Sequence, residues 1–382
     1  MKKVKVTKKI WFAMILIALF VAVFGLSASA KTYSGTCGAQ GGTLRWSLDD
    51  SSGNMIITGT GDMISGSYIG TFFPWSEYRD AIRSVYIQGS VTSIGAKAFS
   101  DCPNLSKVTI SSTTLEEIGE DAFANCTALS SVVISNLANW CNIKFDGYYA
   151  NPLFYANNLY QGSKLVTKLV IPATVKEISD YAFVKCQSIT SLETSNGVTS
   201  IGMASFYGCS NLTTATLSDS TTNIGKSAFS GCSKLTSINI PNGVTSIGFG
   251  TFMDCESLVS ITLPYGVTSI GEEAFSYCMS LKDVYLPNSV TQIGDYAFWA
   301  CETLAAISLP NSIKKIGEFA FKECKALAAV TIPNGVTIVE KVCSPIVRLL
   351  LESPFLSRWC ALKNGRSTIA LAFPKSPFFP EM

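Results

Sequence analysis

Cysteine is the residue with the most chemistry to offer in this chain, which holds thirteen. Nine of them keep step. Cys102 and Cys126 stand 24 apart, and Cys186, Cys209, Cys232, Cys255, Cys278, Cys301 and Cys324 follow one another at intervals of 23. In a secreted chain cysteines ordinarily pair as disulfides. These nine share one phase, so their side chains point the same way, and parallel side chains fit poorly with a disulfide dihedral of about 90°. The expectation is a row of buried free thiols, each serving as a small hydrophobe. Metal binding has no support, because neither a CxxC pair nor a histidine is present. Cys37, Cys141, Cys343 and Cys360 lie off the row, with no assigned pairing.

The absence of histidine removes further chemistry. Ser-His-Asp and Cys-His nucleophile pairs, HExxH zinc sites and imidazole acid–base catalysis are all excluded. Glycoside hydrolysis needs two carboxylates flanking a cleft. The acids here are scattered over segments such as Glu272, Glu273 and Glu318, so a polysaccharide-active enzyme is the weakest reading. No cofactor is implied.

The aromatic residues are the next candidates. Between Ile134 and Ile171 the spacing widens to 37 residues and gathers Trp140, Phe145, Tyr148, Tyr149, Phe154, Tyr155 and Tyr160. Trp140, Tyr148, Tyr149, Phe154 and Tyr155 are candidates for a platform binding a sugar or a protein, since insertions in repeat arrays often form binding loops. The competing reading, which is favoured, is that these rings fill a wider coil.

The elements that carry these residues are units of 23. Isoleucines recur at Ile201, Ile224, Ile247, Ile270, Ile293 and Ile316, and phenylalanines at Phe206, Phe229, Phe252, Phe275, Phe298 and Phe321. A fixed period of this length with apolar residues at set phases predicts a leucine-rich-repeat solenoid. In LTSINI, Leu235, Ile238 and Ile240 alternate with Ser237 and Asn239, as in a half-buried strand. Pro241 suits the strand's end. Val244 and Ile247 turn inward again, and Gly248 marks a corner. Eight of nine regular units have Gly there and the ninth has Ser179, so the corner should not need a positive φ. GKSAFSGC then reads as a short helical or turn segment with Ala228 and Phe229 packed inward. The outward strand face is small, polar and nearly uncharged. Asp283 and Tyr285 are its candidates for ligand contact. The row of Thr245, Thr268 and Thr291 has the regularity of an ice-binding ladder, a reading given little weight.

The pattern VTSIGxxAFxxCxxLxxVxLP resembles the BspA-type leucine-rich repeat of bacterial surface and secreted proteins, over residues 82–338. The stretch SGTCGAQGGTLRWSLDDSSGNMIITGTGDM, with Pro74 and Trp75, is similar to the N-terminal region such proteins often carry. The resemblance implies a non-enzymatic protein at the cell surface that binds host or neighbouring-cell proteins or glycans. A non-binding spacer within a larger surface protein is the alternative. The expected fold is an α+β or β-rich, right-handed coil stack of about ten 23-residue units with an N-terminal β-rich cap. The expected organisation is a signal peptide at 1–30, a capping region at 31–81, a solenoid at 82–338 with its long unit at 135–171, and a non-repeat tail at 339–382.

Lys2, Lys3, Lys5, Lys8 and Lys9 precede an apolar run and Ala28-Ser29-Ala30, which reads as a secretory signal cleaved after Ala30. No membrane span is expected after its removal. Five of the 29 basic residues fall in these thirty positions, which hold no acid. Without them 24 bases face 27 acids, a net of −3, which gives no reason to expect nucleic acid as partner. Past residue 338 the repeat phase stops. The tail is either an irregular cap, with LLLESPFL on the last coil, or not the natural continuation, since a shifted reading frame also halts a repeat midway. The second is favoured.

Overall fold

The computed structural model describes residues 31–66 and 73–339, and the backbone of strands Arg348–Leu351 and Ile369–Ala370. The signal segment with its Ala30 site, Cys343, Cys360 and most of the tail lie outside the described residues. The chain winds as a β-solenoid of about ten turns with little helix.

Each coil has three sides. The first is a strand such as Lys168–Ile171, which pairs in parallel with Ser191–Thr194 one coil on. The second is a two-residue strand after the corner, such as Ser200–Ile201, paired with Asn223–Ile224. The third carries the Ala-Phe pair and is built of turns. It too is a ladder. The N–H groups of Glu273, Phe275 and Tyr277 donate to the carbonyls of Asp295, Ala297 and Trp299 in the next coil, at 2.9, 2.8 and 2.7 Å.

A helix cannot make those bonds, because its N–H groups run along its own axis. The turn segment points alternate N–H groups at the neighbour by holding two residues per coil in the left-handed region. Tyr181 and Lys185 have φ of 61° and 52°, and Glu273 and Tyr277 have 54° and 58°. Each such residue costs roughly 1–2 kcal/mol. Three hydrogen bonds at about 0.5–1.5 kcal/mol each offset most of that. Burial of one phenylalanine, at about 1.5–3 kcal/mol, settles the balance.

The core runs unbroken along the stack. Leu235, Ile238, Ile240, Val244 and Ile247 are buried, while Ser237 and Asn239 face solvent. From Phe183 to Phe321 successive rings stack with centroids 5.3–5.8 Å apart and planes within 15°. The corner glycines keep negative φ, and the structure gives the real reason for them. A Cβ on Gly225 would stand 2.5 Å from the Met203 nitrogen and 2.6 Å from the Gly202 carbonyl carbon. At this and most other corners the coil backbones approach too closely for a side chain, whereas at Gly248 nothing lies closer than 3.5 Å to that position. Ser179 escapes because its neighbour is the long unit, where its N–H meets the Cys141 carbonyl.

At the N-terminal end β1 (Thr32–Thr36), β2 (Arg45–Asp49) and β3 (Asn54–Thr58) form an antiparallel meander. β3 then pairs in parallel with Ser84–Ile87, so the cap and the first solenoid strand share one sheet across residue 82.

The long unit keeps the coil and adds to it. Helix α1 (Leu137–Asn142) starts on Asn136, whose side chain accepts the Asn139 N–H. Lys144–Phe145 supplies the second side. Helix α2 (Leu153–Ala156) leads to Leu159–Gln161, which pairs with Ser131–Ile134. Lys164–Leu165 folds back antiparallel and ends that sheet.

Two tryptophans start the regular stacks in the same way. In a regular pair of coils the alanine carbonyl accepts the previous coil's phenylalanine N–H, as Ala228 does from Phe206. Ala98 and Ala182 follow irregular coils. Their carbonyls take indole N–H donors instead, from Trp75 and Trp140, both at 2.8 Å.

Candidate binding surface

The cysteine row lies inside the coil. All nine members are buried and free. Seven, from Cys126 on Phe99 to Cys324 on Phe298, point their Sγ at a phenylalanine carbonyl in the preceding coil, at 3.0–3.3 Å. The same carbonyl takes the backbone N–H of its own coil's cysteine, as Phe275 takes that of Cys278. Cys102 and Cys186, each first after an irregular coil, face Ser100 and Ser188. Burial pushes the Cys126 and Cys324 thiols up to about 12 and Cys186 to about 11. Such thiols stay protonated and are poor nucleophiles. Among the described residues no group of three or more His, Cys, Asp or Glu could hold a metal ion.

The outer surface divides into a strand face and a turn face. On the strand face Asp283 and Tyr285 are exposed, in one short strand. Tyr265 lies beside Tyr285 and raises its pKa, and Tyr285 and Tyr265 stand 53% and 78% exposed. Their neighbours Ser260, Thr262, Ala306 and Ser308 are short. The flanking threonines are committed to the backbone: Thr268 and Thr291 donate to the carbonyls of Thr245 and Thr268 one coil back. The hydroxyl hydrogens of Thr268 and Thr291 are thus spent on the coil itself.

The turn face is richer. Four of the five long-unit candidates meet there and one does not. Trp140 is 1% exposed, its ring against Phe145 and its N–H bound to Ala182. It is a core residue and is corrected from the list of ligand-contacting candidates. Tyr148, Tyr149, Phe154 and Tyr155 form a connected cluster with centroids 4.8–6.2 Å apart. The regular coils extend it through Tyr181 and Tyr207, 4.8 and 5.2 Å from Tyr148. Burial, then Tyr181 and Tyr207, raises the Tyr148 pKa. The Lys185 ammonium sits 3.8 Å from the Phe154 centroid, a cation–π contact that neutralises no acid and occupies that ring face. Tyr149 is 43% exposed, and the Tyr155 hydroxyl accepts the Asn125 N–H.

Sequence reasoning missed the contribution of Tyr181 and Tyr207. It also missed a second cluster on this face, Tyr277, Tyr296, Trp299 and Phe319. These rings occupy outer positions around the repeated Ala-Phe pair. Tabulating those positions coil by coil would have revealed them.

The sequence matches the BspA type leucine rich repeat region over residues 77–149, 155–258 and 245–344, more than half of the chain. The protein belongs to that family. Among solved structures it is similar to a leucine-rich repeat protein from Eubacterium ventriosum, 24% identical, covering 77% of this chain and 95% of that one with a TM-score of 0.47. It is also similar to a leucine rich cell surface protein from Faecalibacterium prausnitzii, 22% identical, covering 87% and 99% with a TM-score of 0.48. No curated protein matches the chain. No helix among the described residues is long and apolar enough to cross a membrane.

Proposed function

We propose that this is a secreted or cell-surface binding protein that recognises host or neighbouring-cell proteins or glycans through its turn face. The carrying observation is the cluster of Tyr148, Tyr149, Phe154, Tyr155, Tyr181 and Tyr207. Six part-exposed rings in mutual contact are more than a solvated turn needs, and tyrosine supplies contact area with a polar edge at low entropic cost. Extracellular exposure is supported by the signal-like start, and a binding rather than catalytic role by family membership. It is also supported by the lack of histidine and by thiols held protonated in the core.

The test is an array of extracellular-matrix proteins and cell-wall glycans probed with the chain lacking residues 1–30. Specific retention that Tyr149→Ala abolishes supports the reading. An array that retains nothing specific favours a non-binding spacer.

A further inference from the structure

We propose that the turn face over residues 249–325 is a second binding surface, and that its partner is a basic polypeptide segment presenting arginine or lysine side chains. The turn segments 249–256, 272–279, 295–302 and 318–325 together hold eight carboxylates and two lysines. None of the eight is buried. Lys325 is already paired with Glu302 at 2.6 Å, and Lys322 lies 3.7 Å from Glu323. The N-terminal turn segments have no such bias. Between 96 and 232 the corresponding segments carry four acids, Asp101, Glu120, Asp121 and Asp180, against Lys97, Lys185 and Lys226.

The acids surround aromatic faces. Tyr277 and Tyr296 flank the Trp299 ring at 4.8 and 5.4 Å, and Phe319 stands 5.6 Å from Tyr296. These rings already hold a cation from their own chain. The Lys322 ammonium lies 5.2 Å from the Trp299 centroid and 5.3 Å from that of Phe319. A guanidinium stacks on such faces while its N–H groups reach carboxylates at the edge. Partial burial and then Glu256 raise the Asp254 pKa, and partial burial, Glu272 and Asp254 raise that of Glu273. Like charges are crowded here, and an incoming cation relieves the crowding.

The spread of the acids favours a peptide: a polypeptide segment can set several cationic side chains against carboxylates of successive coils, Asp254, Glu273 and Glu323 among them. Anionic membranes and nucleic acids are repelled by the same carboxylates.

Calorimetric titration of the folded chain with a synthetic arginine–glycine peptide tests this. Equal-length peptides with glutamine or glutamate in place of arginine are the controls. The companion variant carries Asp254→Asn, Glu273→Gln and Glu323→Gln, which keep side-chain shape at three left-handed positions and remove charge. The arginine peptide should bind, the glutamate peptide should not, and affinity should fall with added salt. The triple variant should lose about tenfold in affinity. Tyr149→Ala should leave this binding unchanged, which separates failure here from failure of the long-unit cluster. The proposal is overturned if wild type ignores the arginine peptide or binds the glutamate peptide as well. It is equally overturned if the triple variant binds as tightly as wild type, or if Tyr149→Ala abolishes the binding.

Discussion

The strand face and the turn face are written by the same 23-residue unit, yet they present opposite surfaces. On the strand face an outward position is flanked on both sides by the same position of a neighbouring coil. Long side chains there lie side by side along a parallel ladder, and most coils carry Ser, Thr, Ala or Asn, with Tyr86, Tyr160 and Tyr285 as large exceptions. On the turn face the backbone itself is the ladder, held by three inter-coil hydrogen bonds and anchored by the phenylalanine and cysteine beneath. Most of its outer positions carry little of that load, although Asp180 and Asp295 accept the backbone N–H of Met203 and Glu318 one coil on, so they vary from coil to coil and collect Tyr, Trp, Phe and carboxylates. Where the inner residues do the structural task, the outer ones are released for contact.

That division can be broken most severely from inside the turn. Phe275 is fully buried between Phe252 and Phe298, 5.5 and 5.3 Å away. Phe275→Ala should cost roughly 3–5 kcal/mol in urea denaturation, and coupling between coils should spread the loss. On the strand face Tyr285→Ala should stay within about 0.5 kcal/mol of wild type. Equal midpoints for the two variants contradict the assignment of load to the turn.

The corner glycines sharpen the same comparison at one motif position. Gly225→Ala drives a methyl group into the Met203 and Gly202 backbone and should cost about 1–3 kcal/mol. At Gly248 the nearest atom to a new Cβ is the Thr251 Oγ1 at 3.5 Å, and φ is not left-handed. Gly248→Ala should therefore be neutral or stabilising, by up to about 1 kcal/mol. A pair of identical melting curves argues that coil-to-coil approach does not select the glycine.

Most of the fold was legible because the inner residues repeat. The phases of Ile247, Phe252 and Cys255 marked the core, and the alternation in LTSINI marked the strand. The turn's backbone was not legible. Its left-handed positions are filled by Tyr181, Lys185, Ser227 and Glu273, residue types that announce no such conformation. Trp140 was misplaced for a related reason: its partner is the Ala182 carbonyl, 42 residues on, and local sequence does not show that a carbonyl lacks its usual donor. The binding face was half legible. An insertion draws the eye to Tyr148 and Tyr149, whereas Tyr207 and Trp299 sit singly in regular units.

The cysteine row gives a smaller effect. Cys232 is fully buried, with its Sγ 3.3 Å from the Phe206 carbonyl. Cys232→Ala should cost about 1–2 kcal/mol, as a small cavity does. An alkylating reagent should label Cys232 and Cys255 only after denaturation, with no reductant added. Mass spectrometry that finds the two linked contradicts the structure's row of free thiols.

The central claim is that the turn face, and not the strand face, meets the partner. Two double variants measured side by side on one array of matrix proteins and cell-wall glycans test it most directly: Tyr149→Ala with Tyr207→Ala, and Tyr265→Ala with Tyr285→Ala. All four side chains are at least partly exposed, so both proteins should fold. The account predicts that the first variant loses the ligands retained by wild type while the second keeps them. Loss of those ligands by the second variant alone would contradict it.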